Sequence, residues 1–248
     1  MTDLFNQWGN FLFHTRNVLF PVIIAAILFF YQPVPMGSVP GDYYLAMGLL
    51  IITAGQAIRI LTIGLSYIKR GGKNRKIYAK NLVTDGVFAH CRNPLYVGNI
   101  LVVIGFMFIS GNTAGIIIGS AVFMAIYRLI VFSEERFLAE KFGQAYNDYC
   151  ADVPRWLPRF HGLGETIIQF EFDWPGVAVK EFGTLFTSLM ISLGLISWKL
   201  HLAGSLVQNE IPVISAAVLI TTAYLIVRFL KKTRRLKSMR ELDKSTTK

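Results

Sequence analysis

Leu82 to Gly98, LVTDGVFAHCRNPLYVG, is the stretch in which a polar segment turns into an apolar helix. Asn93 suits an N-cap, its side-chain oxygen accepting an orphan backbone N–H, and Pro94 suits the first helical position because it has no N–H to satisfy. From Leu95 the chain is apolar as far as Ile109. A helix start of this kind carries partial positive charge and free donors, and Arg92 adds a full charge just before it. The stretch therefore predicts either an anion site or, more blandly, an arginine anchored at lipid headgroups beside a helix start.

Outward from there, the composition sets the class. The chain has 248 residues, 53% hydrophobic and 16% charged, and a mean hydropathy of +0.47. That is too apolar for an ordinary soluble domain and predicts an all-α fold, a polytopic membrane helical bundle. The net charge of +10 does not point to nucleic acid, because the Lys and Arg lie between apolar spans, as the positive-inside rule requires. Cys91 and Cys150 form no CxxC pair, and the four histidines, His14, His90, His161 and His201, form no close ligand pair, so neither disulfide nor metal is expected. No cleavable signal peptide is expected either, since Pro33, Pro35 and Pro40 follow the first apolar span without a small-residue cleavage site.

About six transmembrane helices are expected: Val18 to Tyr31, Tyr43 to Ile68, Leu95 to Ile109, Thr113 to Phe132, Phe182 to Leu202 and Ile211 to Phe229. Met1 to Asn17 is read as a polar and aromatic lead-in, with the first span beginning a few residues before Val18. The basic loop holding Lys69, Arg70, Lys73, Arg75, Lys76, Lys80 and Arg92, and the tail from Lys231 to Lys248, place both termini in the cytosol, with anionic lipid as a partner. A bacterial inner membrane is the expected location. Arg59, inside the second span, either marks a site or snorkels. Ser133 to Cys150 has apolar residues at helical spacing and predicts a cytosolic amphipathic helix. The expected organisation is a membrane core over 1–160, a connector over 161–182 and an additional helix pair with a basic tail over 183–248.

Ser110-Gly111-Asn112 is short enough to make spans three and four an antiparallel hairpin, bringing Arg92, Asn93 and Tyr96 to the same rim as Glu134 and Glu135. Arg128, seven residues before Glu135, is about two turns away and is expected on the same side. Such a group suits a dipolar ligand, with Phe88 and Tyr96 as aromatic walls. On spacing alone an equal alternative stands: the glutamates occupy the first turn of the amphipathic helix and Arg128 snorkels.

LVTDGVFAHCRNPLYVG, followed by EERFLAEKFGQAYNDYCADVPRWLP, resembles the isoprenylcysteine carboxyl methyltransferase and phospholipid methyltransferase superfamily. The resemblance covers Lys80 to Arg159 and the span before it, and leaves Phe170 onward unexplained. It implies an integral-membrane enzyme that uses S-adenosylmethionine without a Rossmann fold and methylates a lipophilic or membrane-embedded carboxylate, thiol or amine. By the same resemblance Asn81, Leu82 and Val83 line the adenosine pocket with Phe88 beside them. Arg92, Asn93, Pro94 and Tyr96 shape the amino-acid end, Glu134 and Glu135 hold polar groups, and Arg128 and Glu135 are the catalytic candidates. Asn93 departs from the family's usual His, and it cannot take up a proton near neutral pH. Two alternatives remain open from the sequence: a sterol-type membrane reductase binding NADPH, which shares the Arg-x-Pro-x-Tyr-x-Gly turn, and a lipid-binding protein without catalysis.

Overall fold

The computed structural model describes residues 2–66, 79, 81–169, 171–233 and 235–238. Among these the secondary structure is helical: α1 (Thr2–Phe30), α2 (Val39–Leu65), α3 (Pro94–Ser110), α4 (Thr113–Phe142), α5 (Gln144–Asp152), α6 (Leu163–Gln169), α7 (Trp174–Leu202) and α8 (Glu210–Lys232), with a 3-10 turn at Gly86–Ala89 before α3. Five of these helices are long and apolar enough to cross a membrane, and α3 is a shorter apolar helix of 17 residues. The protein is an all-α, multi-pass membrane bundle. The basic residues Lys69, Arg70, Lys73, Arg75, Lys76, Lys80, Arg234, Arg240, Lys244 and Lys248 fall outside the described residues.

Helix α3 packs along α2 on one side and α4 on the other, α1 lies against α4, and α7 covers α2 and α3. Close approach of α2 to α3 comes from two pairs of glycines. A Cβ on Gly55 would stand 2.7 Å from the Gly98 carbonyl, and one on Gly48 would stand 2.7 Å from that of Gly105. Without a driving force to bury apolar surface in lipid, small residues that let backbones meet hold such helices together. The core then fills with Ile52, Val102, Phe106, Met107, Ile109, Phe123 and Ile130, all buried.

Three local readings need correction. The lead-in before Val18 is helical, part of the single 29-residue α1. Ser133 does not open a new helix: α4 runs on to Phe142, because Ser133 is buried and its hydroxyl bonds the Asn6 carbonyl of α1 at 2.9 Å. The break falls at Gly143, whose φ of 56° ends α4 and starts α5. The expected connector over 161–182 holds α6 and the first turns of α7. Helix α7 buries Glu181, Ser188, Ser192 and Lys199 inside the bundle, whereas α8 has no buried residue and rests on α7.

Arg59 does not snorkel. It is buried, and its guanidinium pairs with both carboxylate oxygens of Glu181 at 2.8 Å.

Candidate functional site

The start of α3 lies on the same rim as the ends of α2 and α4, and the loop after α5 folds back over it. The backbone N–H of Arg92 donates to the Pro154 carbonyl at 2.9 Å, and that of Arg159 donates to the His90 carbonyl at 2.9 Å. The Cys91 thiol donates to the Trp156 carbonyl at 3.3 Å. Thus HCRN at 90–93 and PRWLPR at 154–159, far apart in sequence, are joined by backbone bonds. Two prolines, Pro154 and Pro158, keep this covering segment from continuing α5.

Glu135 is the centre of the group. Arg155 reaches it at 2.7 Å, Arg92 at 3.8 Å, and the Asn93 amide donates to it at 3.0 Å. The same Asn93 amide reaches the Arg155 carbonyl at 3.3 Å. Asn93 therefore does not cap α3 with its side chain as expected; its backbone carbonyl takes the N–H groups of Tyr96 and Val97 instead. Glu134 is a separate pair, accepting the Tyr96 hydroxyl at 2.5 Å. Nε of Arg92 is buried and has no hydrogen-bond partner. Among the described residues it is a buried donor of this group that a ligand could take. Burial opposes charge on Arg92, the Glu135 carboxylate favours it, and the net effect is upward, so Arg92 is a fixed cation.

Helix α5 closes the other side. The Tyr149 hydroxyl donates to the Phe88 carbonyl at 2.8 Å, fixing the 3-10 turn. Burial pushes the hydroxyls of Tyr146 and Tyr149 up, with the charge of Glu135 adding to the effect, so both stay protonated. Lys141 at the end of α4 donates to the Ala79 carbonyl, two positions before Asn81. Leu82, Val83 and Phe88 are half-buried, while Asn81 is exposed.

Arg92, Asn93, Glu134, Glu135 and Tyr96 are thus brought together, with Pro94 buried beneath them as the first residue of α3. Arg128 is not brought in: it is exposed on α4, and no hydrogen bond or ion pair joins it to the group. Two turns of helix, about 10 Å, separate it from a cluster that sits at the rim. Arg155, Tyr146 and Tyr149 were missed by the sequence reading. The VPR triplet was visible, but its partner was not, because nothing in spacing shows a return loop pairing with the start of α3.

Residues 43–145 match the family model for phospholipid methyltransferase. Among curated proteins, the chain is 29% identical over 140 residues to the protein-S-isoprenylcysteine O-methyltransferase of Schizosaccharomyces pombe, covering 56% of this chain and 55% of that protein. It is 31% identical over 121 residues to the Mus musculus protein of the same name, covering 48% and 42%. It is also 30% identical over 111 residues to the cobalt-zinc-cadmium resistance protein CzcN of Cupriavidus metallidurans, covering 44% and 50%. The chain spans about half the length of the curated relatives it matches. No solved structure matches.

Proposed function

We propose, on the premise that residues 43–145 belong to the phospholipid methyltransferase family, that the protein is an S-adenosylmethionine-dependent methyltransferase acting on a lipophilic acceptor at the cytosolic face of a membrane. The observation that carries this is the buried and unpartnered Nε of Arg92 beside Glu135, Asn93 and Tyr96. A cation with an unused donor at a helix N-terminus suits the cofactor's carboxylate. The half-buried Leu82, Val83 and Phe88 offer apolar and aromatic surface suited to an adenine ring. The residues present therefore fit the group that the family implies.

Bound S-adenosylmethionine would supply a methyl group on a sulfonium, transferred by in-line displacement. Such a step asks the protein for position and dryness more than for proton transfer. Glu135, held by Arg155, Arg92 and Asn93, is committed to orienting these donors. Glu134 holds the Tyr96 hydroxyl toward the start of α3. Asn93 stays neutral at any physiological pH, so no base acts at that position. That suits an acceptor already ionised, and a carboxylate is such a nucleophile. The Schizosaccharomyces pombe and Mus musculus relatives are named protein-S-isoprenylcysteine O-methyltransferase, which supports a lipophilic carboxylate as the first acceptor to test.

The test is calorimetric titration of the detergent-purified protein with S-adenosylhomocysteine and, in parallel, NADPH. Binding of S-adenosylhomocysteine alone is expected. Binding of NADPH alone, or of neither to folded protein, overturns the proposal.

A further inference from the structure

We infer that Glu181, on α7, is a positioning residue for the methyl-donor site, acting through Arg59 on the first turn of α3; this rests on the function proposed above. Glu181 lies beyond the family match, which ends at residue 145. It is 1% exposed, and its carboxylate takes Nε and Nη2 of Arg59, each at 2.8 Å. The remaining nitrogen, Nη1, reaches the Asn99 side chain and, at 3.4 Å, the carbonyl of Leu95. Leu95 lies in the first turn of α3, which starts at Pro94 directly after Arg92 and Asn93, and Asn99 lies one turn further along the same face. One face of that turn carries Tyr96 toward Glu134; Arg59 holds it at Leu95 and Asn99.

The geometry of Gly98 supports the same reading. A Cβ there would lie 2.5 Å from Cγ of Arg59, so the close passage of the Arg59 stem over α3 depends on glycine at that position. An arginine inside a membrane span is costly unless paired, and an unpaired one bends its long stem toward the headgroups. Glu181 is the counter-charge that keeps Arg59 on Leu95 and Asn99. Loss of that charge frees the guanidinium, and the first turn of α3 loses its hold opposite the site. Helix α7 has a second bond to α2, from the Gln56 amide to the Ser188 hydroxyl at 2.7 Å, which is independent of the ion pair.

The experiment compares full-length wild-type protein with Glu181→Gln, Glu181→Asp and the double variant Arg59→Met/Glu181→Leu. The double variant replaces the ion pair by apolar side chains of similar size, an exchange that folded proteins tolerate well. Hydrogen exchange is followed at the amides of Tyr96 to Asn99 without ligand, and S-adenosylhomocysteine affinity by calorimetry. In the glutamine and double variants, exchange is expected to quicken at those amides and not in α4, with affinity falling about tenfold or more. The aspartate variant, which keeps the charge, recovers part of both. Wild-type exchange and wild-type affinity in a folded glutamine variant overturn the inference, and should that variant not fold, the double variant decides by the same criteria. If wild-type protein binds no S-adenosylhomocysteine, the proposed function fails, and the exchange data still decide whether Glu181 holds the turn.

Discussion

Glu135 holds three donors from two separate segments, and the group depends on its charge. Replacing it with Gln leaves the shape but removes the partner of Arg92 and Arg155. Affinity for S-adenosylhomocysteine is expected to fall by about 1–3 kcal/mol, roughly five- to 150-fold, in calorimetric titration. Unchanged affinity would make Glu135 a brace for α4 only. The two cysteines supply a pH test. Burial pushes the Cys91 thiol up, outweighing Arg92 and the backbone bond near Asn93, so its thiolate appears only above the ordinary thiol range. Iodoacetamide at about pH 8.5, the ordinary thiol value, is expected to label half-buried Cys150 in Cys91→Ser protein and to spare Cys91 in Cys150→Ser protein. Mass spectrometry reads both, and Cys91 should react as the pH is raised further. Arg92, Asn93, Tyr96, Glu134 and Glu135 were legible in the sequence because a three-residue turn fixes which helix ends meet. Arg155 was not, since its approach depends on the path of a loop with two prolines, which no periodicity encodes.

At the level of elements, the seam between α2 and α3 depends on glycine at both ends, but only one end touches the site. Gly105→Ala would drive a methyl group into the Gly48 carbonyl and the Ile52 side chain, and Gly98→Ala into the Gly55 carbonyl and the Arg59 stem. Each is expected to cost about 1–3 kcal/mol of stability, seen as a lower melting midpoint. Only Gly98→Ala should also weaken S-adenosylhomocysteine binding, because it displaces Arg59; equal binding by the two variants would separate the seam from the site. Helix positions followed from hydropathy, but the extent of α4 did not. The acidic run after Ser133 reads as a new helix start, and the buried bond from Ser133 to the Asn6 carbonyl of α1 is long-range information.

Across the whole molecule, the starts of α3 and α7 and the ends of α2, α4 and α8 share one rim, and the chain crosses back through the bundle between them. Lys231 and Lys232 end α8 at that rim, which by the positive-inside rule supports the cytosolic orientation proposed above. A membrane-impermeant maleimide added to intact cells is expected to label Gln208→Cys, on the opposite rim, and to reach Cys150 only after permeabilisation. The reverse pattern would invert the molecule. The class of the fold was legible from composition and spans. The place of α7 was not, because Arg59 and Glu181 are 122 positions apart and their pairing is a tertiary fact. Helix α3 carries one last consequence. Its 17 residues span about 25 Å, against a hydrocarbon layer of about 30 Å, while its neighbours in the bundle are 27 and 30 residues long. A helix at the short end of the spanning range is accommodated by local thinning of the bilayer or by polar residues at its ends. Under the proposed function, bilayer depth around this short helix is expected to alter how easily a lipid-borne acceptor meets a water-borne cofactor, and activity in vesicles of different lipid chain length would read it.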